Sequence, residues 1–176
     1  EETLPQGVAY VGSDENVSGK QQGEEIARLL NNKGNVVILV GELATQAALL
    51  RTEGVEKVVA KHPEIKIVGK QPANWKRNEA IDLMNNLLVA GTKIDAVAAN
   101  NDEMAIGAIL ALQQAGKDPK KLVIGGIDAT KDALREMERG NLAVTVFQDP
   151  KAQGIGAVET AVKLTKGEKV ESFVWI

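Results

Sequence analysis

The chain has 176 residues, 44% apolar and 26% charged, with a formal net charge of −3, one histidine and no cysteine. Those figures fit one globular domain with a real core, and they exclude a disordered chain, a disulfide framework and thiolate chemistry. Acids and bases interleave along the whole length, so there is no basic stripe for nucleic acid. No apolar run approaches the ~20 residues that span a bilayer, and a soluble chain is expected.

Residues 8–12 read as a short apolar strand, and 16–30 as a helix with Ile26, Leu29 and Leu30 on one side. Residues 36–40 form an apolar run of the kind that a strand buried on both faces requires. A helix over 45–60 follows, stopped by His62-Pro63. Residues 65–69 are a strand, and 77–90 a helix carrying Ile81, Met84, Leu87 and Leu88 at helical spacing. The unit repeats with a strand at 94–99 and a helix at 104–115, then again with 122–127 and 131–139. Residues 142–147 are a last strand of the set. Five successive strand–helix units with short connections predict an α/β fold with a doubly wound, mostly parallel sheet flanked by helices. Beyond Pro150 the rhythm changes to a helix over 152–166 and a short strand over 172–176. The Glu1-Glu2-Thr3 start and the apolar end both read as belonging to a longer protein.

Enzymatic constellations are missing from the pattern. The lone histidine, His62, sits at a turn and reads as a spectator, and with no cysteine no zinc site of familiar spacing can be written. Gly154-Ile155-Gly156 opens like a dinucleotide fingerprint, but Glu159 stands where the third glycine belongs and no strand precedes it. No cofactor and no metal are expected. Carboxylates at strand ends remain: Asp14, Asp102, Asp128 and Asp149. Asp102 and Asp128 could together perform acid–base work on a glycoside, as a hydrolase or isomerase would. The competing reading is that they accept hydrogen bonds from hydroxyls, and it is favoured because no nucleophile or activated water accompanies them.

Residues 99–107 join the strand at 94–99 to its helix and set four polar side chains where ligands bind in open α/β sheets. In isolation, Asn101 or Asp102 capping the helix is the simpler reading. The recurrence of polar turns at successive strand ends weighs against it. Trp75 lies in a polar segment, Gln71 to Asn78, just past a strand. An indole there offers a flat apolar face to the C–H side of a sugar ring; the alternative is packing over a helix end. Trp175, in the last apolar strand, reads as structural.

Four strings, QPANWKR (71–77), AANNDEMAIGA (98–108), IGGIDAT (124–130) and TVFQDP (145–150), resemble in order and spacing the periplasmic ribose-type sugar-binding proteins of bacterial ABC importers. Inositol- and rhizopine-binding members look nearest. The resemblance implies the type I periplasmic binding protein fold, in which two lobes on three hinge crossings clamp a sugar. It implies that this chain is the C-terminal lobe, with residues 1–149 the sugar-binding lobe and 150–176 a hinge-crossing helix and strand that pack on an absent N-terminal lobe. It further implies a periplasmic, non-enzymatic protein that binds a monosaccharide or cyclic polyol and delivers it to a membrane permease. The apolar side of the 152–166 helix, through Ile155, Val158, Val162 and Leu164, is expected to be exposed and open to a homodimer of the isolated lobe. Carried over by position, the ligand residues are Trp75 for ring stacking, Asn101 and Asp128 for hydroxyls, and Gln148 at the hinge. Ribose binders have an arginine where this chain has Leu49; Arg51, two residues on, is carried as a further candidate, and the departure favours an inositol-like polyol over ribose. The alternative implied by the same fold is the effector-binding core of a lactose-repressor-family regulator.

Overall fold

The computed structural model describes residues 4–176. In chain order the elements are β1 (Tyr10–Gly12), α1 (Glu15–Leu29), β2 (Gly34–Val40), α2 (Gln46–Val59), β3 (Ile65–Pro72), α3 (Arg77–Val89), β4 (Ala96–Ala99), α4 (Asp102–Gln114), β5 (Val123–Asp128), α5 (Lys131–Glu138), β6 (Val144–Phe147), α6 (Pro150–Thr165) and β7 (Phe173–Trp175). They fall into two compact units. One is Glu15–Phe147; the other joins the residues before Glu15 to Gln148–Ile176.

In the larger unit five strands pair, all in parallel, in the order β3-β2-β4-β5-β6. Strand β2 shows why its apolar run is continuous. Val37 and Leu39 join the core on the α3/α4 side, while Val36, Ile38 and Val40 join the core on the α1/α2 side. Strand β4, Ala-Val-Ala-Ala, sits between β2 and β5 with every residue at 0% exposure. Its small side chains admit helices closely on both faces. The doubly wound parallel sheet is therefore as the sequence pattern implies.

Four details differ from the sequence reading. The strand at 8–12 does not open the five-stranded series; β1 pairs with β7, Tyr10 opposite Phe173. Strand β3 runs on through Gly69, Lys70 and Gln71 to Pro72, with a register shift opposite Val36/Val37. It is an edge strand, where lysine and proline are tolerated because one side of the ladder needs no partner. A short 3₁₀ turn, Pro119–Lys121, precedes β5. Helix α6 starts at Pro150, two residues before the expected 152, capped by Asp149, whose carboxylate accepts from the backbone N–H of Ala152 at 2.9 Å.

In the smaller unit Tyr10, Phe173 and Trp175 form an aromatic cluster, with the Phe173 and Trp175 rings stacked at 5.5 Å. On α6, Ile155, Val158 and Val162 are exposed as expected, whereas Leu164 is half-buried.

Helices α1 and α2 cross at glycines. A Cβ on Gly54 would fall 2.5 Å from the carbonyl oxygen of Asn16, and one on Gly19 would run into the Arg51 carbonyl. Backbone cannot step aside as a side chain can, so Gly19→Ala must part the helices. The expected cost is about 1–3 kcal/mol, read as a lowered midpoint in urea unfolding; an unchanged midpoint would mean that the crossing is loose.

Candidate ligand-binding site

The carboxyl end of β4 carries three consecutive polar side chains, and each holds a different loop. Asn100 is fully buried, and its Oδ1 accepts from the backbone N–H of Gly41 at 3.0 Å and from the Thr52 hydroxyl at 3.1 Å. Asn101 caps α4: its Oδ1 accepts from the N–H of Met104 at 3.0 Å, and its Nδ2 donates to the Trp75 carbonyl at 3.3 Å. Asp102, also fully buried, accepts from the N–H of Thr130 and from the Thr145 hydroxyl, both at 2.7 Å. The loops after β2, β3 and β5 are thereby tied to one strand end.

Those loops bring Trp75 and Asp128 to the same place. Asn74 and Trp75 take φ of 51° and 66°, and Asp128 and Ala129 take 125° and 52°. Such values are uncommon for non-glycine residues, above all for a bulky one. The indole is half-buried; it packs on both core clusters and over Gly41, where any Cβ would strike its ring. Arg51 stands behind it, with Cζ 5.6 Å from the ring centroid, and its Nη1 lies 3.6 Å from Asp128 Oδ1.

Trp75, Asn101, Asp128 and Arg51 are thus linked by successive contacts at one end of the sheet. Gln148 belongs to the other unit, where its Oε1 accepts from Gln153 Nε2 at 3.4 Å and the same nitrogen donates to Ser13 at 3.0 Å. The capping reading of Asn101 is correct, and Asp102 is engaged by two donors that fix the start of α5 and strand β6. The packing alternative for Trp75 is likewise realised in part. His62 lies before β3, at the opposite end of the sheet.

Sequence reasoning missed Asn100, Thr52, Glu15 and Gln22. Gln22, at 0% exposure on α1, donates to the Ala99 carbonyl at 2.7 Å. Its one available signal was position: a polar residue among Gly19, Gly23 and Ile26 on the buried side of a helix.

This parallel sheet with converging strand-end loops matches one lobe of the type I periplasmic binding protein fold. The chain belongs to the periplasmic binding protein domain family, whose model matches residues 5–169. It is 51% identical, over 99% of its length, to a Rhizobium meliloti protein named for rhizopine binding, of which it spans 57%. It is 41% identical to the ribose import binding protein of Escherichia coli, over 94% of this chain and 55% of that one. Among solved structures, an ABC transporter solute-binding protein of Bacillus halodurans with bound myo-inositol superposes at a TM-score of 0.91 and 49% identity, covering 96% of this chain and 58% of that one. The chain therefore spans little more than half the length of these relatives.

Burial lifts the Asp102 carboxyl above its ordinary value of 3.8, partly offset by the hydrogen bonds from Thr145 and Thr130. The folded state then holds the proton more tightly than the unfolded chain, so ionised Asp102 costs stability at neutral pH. That cost is relieved as pH falls from the raised folded value toward 3.8. Asp102→Asn, which turns an amide N–H toward one of the two donors, should lose about 1–3 kcal/mol at pH 7. The gap between wild type and variant should widen on acidification in urea titrations; a gap that closes would contradict this assignment.

Proposed function

We propose that this chain is one lobe of a periplasmic solute-binding protein that captures a monosaccharide or cyclic polyol for an ABC importer and binds it without turnover. The observation that carries the reading is the convergence of Trp75, Asn101 and Asp128 at the carboxyl end of the sheet. An aromatic face, an amide and a carboxylate are what a polyol needs: apolar contact for its C–H side and partners for its hydroxyls. Trp75 stacks on the ring, and Asn101 and Asp128 take hydroxyls. The relatives favour an inositol-like ligand, since the 49%-identical neighbour holds myo-inositol. Binding rather than acid–base chemistry is supported by Asp102, whose carboxylate is occupied by Thr130 and Thr145. The repressor alternative draws no support from these relatives.

Function then requires the second lobe. Hinged closure buries both faces of the ligand, excludes water and presents a closed surface to the permease. The exposed face of α6, Ile155, Val158 and Val162, is assigned to the lobe that lies outside this chain, and in its absence a second copy would cover it.

The chain alone should bind weakly, because half of a small polyol stays in water. Calorimetry against myo-inositol and ribose should give a Kd no better than about 1 mM, and a micromolar value would sink the two-lobe account. In the two-lobed protein, Trp75→Ala should weaken binding by about 1–3 kcal/mol. It should also lower the melting temperature, because the indole packs on the core. Trp75→Phe should lose less of both. Loss of stability with unchanged affinity in both variants would reduce Trp75 to a packing residue.

A further inference from the structure

Arg51 is 5% exposed, the one buried base among the described residues, and it sits on α2 with its guanidinium shared by three groups. Nε donates to Glu15 Oε2 at 2.6 Å, Nη1 donates to the Asn100 carbonyl at 2.6 Å, and Asp128 Oδ1 lies 3.6 Å from the same Nη1. The row is graded in exposure. The side chains of Arg51 and Glu15 are 7% and 14% exposed, whereas that of Asp128 is 32% exposed. Asp128 is thus the member open to solvent, and the guanidinium lies behind it.

A guanidinium is permanently charged and offers its N–H groups in a rigid planar fork, so it can hold several acceptors at fixed angles. Here it also lies against the Trp75 ring. One side chain therefore touches the carboxylate and the indole assigned to the ligand. It is anchored in turn to Glu15, the first residue of the larger unit, directly after the segment that carries β1. Asp128 takes a φ of 125°, a backbone state that holds only when its surroundings impose it.

We propose that Arg51 is a positioning residue: it does not meet the ligand but fixes the Asp128 carboxylate in its binding geometry, anchored by Glu15. The inference rests on the polyol reading above. It differs from a direct ligand contact in one respect: the effect of Arg51 on affinity must pass through residue 128.

A double-mutant cycle in the two-lobed protein tests this, with myo-inositol, D-ribose and D-allose as probes and the tightest binder used throughout. Arg51→Lys keeps the charge but, as a point donor, cannot serve Glu15, Asn100 and Asp128 together. It should weaken binding about tenfold in the wild-type background and less than about twofold when Asp128→Asn is already present. Glu15→Gln, which leaves the guanidinium in place without its charged anchor, should show the same dependence on residue 128 at a smaller size, about threefold, and serves where Arg51→Lys does not fold. Melting temperatures measured alongside separate folding from binding, because a purely structural arginine lowers affinity equally in both backgrounds. Equal losses in the two backgrounds, or none in either, overturn the proposal while the polyol reading stands. Failure of all three sugars to bind wild type overturns the reading, and the proposal with it.

Discussion

Everything at the carboxyl end of the sheet depends on how strand β4 ends. Four residues at zero exposure run into Asn100, Asn101 and Asp102 with no solvent beside the first and third to satisfy them. Buried polar groups that stay unpaired cost free energy, and these side chains find most of their partners within the fold, with Asn100 Nδ2 alone among them left unpaired. Those partners lie on all four other strands of the sheet or just beyond them: Gly41 after β2, Trp75 after β3, Thr130 after β5 and Thr145 within β6. Loops that would otherwise wander are each pinned to the most deeply buried strand in the sheet.

The same pins hold the strained backbone. Two loops at this end carry adjacent non-glycine residues at positive φ, Asn74–Trp75 and Asp128–Ala129. Such residues cost on the order of 1–3 kcal/mol each and persist only where the surroundings over-determine them. Here they are so determined: the Trp75 carbonyl is bound by Asn101, and the Ala129 N–H donates to the Thr145 hydroxyl that itself binds Asp102. Strain of this kind, on loops that bear a half-buried carboxylate and a half-buried indole, means that these groups are held in one geometry in advance.

The parts of this arrangement that were legible in the sequence are those with a period or a place in the chain. The apolar runs of β2 and β4 and the helices behind them announce a parallel sheet, and polar turns at strand ends point to Trp75, Asn101 and Asp128. Less legible were pairings between distant segments. Nothing local to Tyr10 says that its partner is Phe173, and the lysine- and glycine-bearing end of β3 reads as loop because an edge strand needs no apolar alternation. Least legible was the buried polar framework. Asn100 and Asp102 stand beside Asn101 in one string, and sequence alone does not divide structural duty from ligand duty among three adjacent amides and acids.

Arg51 shows the limit most clearly, and helix geometry explains it. Residues two apart on an α-helix point about 200° apart, so an arginine at 51 cannot do the work of one at 49. The structure agrees: Leu49 is 56% exposed while Arg51 is 5% exposed, on opposite sides of α2. Where the resemblance expects a cation in ribose binders this chain has Leu49, and the cation it does carry faces inward, engaged by Glu15 and the Asn100 carbonyl. This end of the sheet therefore carries an indole, an amide and one carboxylate, with the positive charge one layer behind them. Such a surface suits a neutral, many-hydroxyl ring better than an anion, because the Asp128 side chain is 32% exposed while that of the arginine balancing it is 7% exposed.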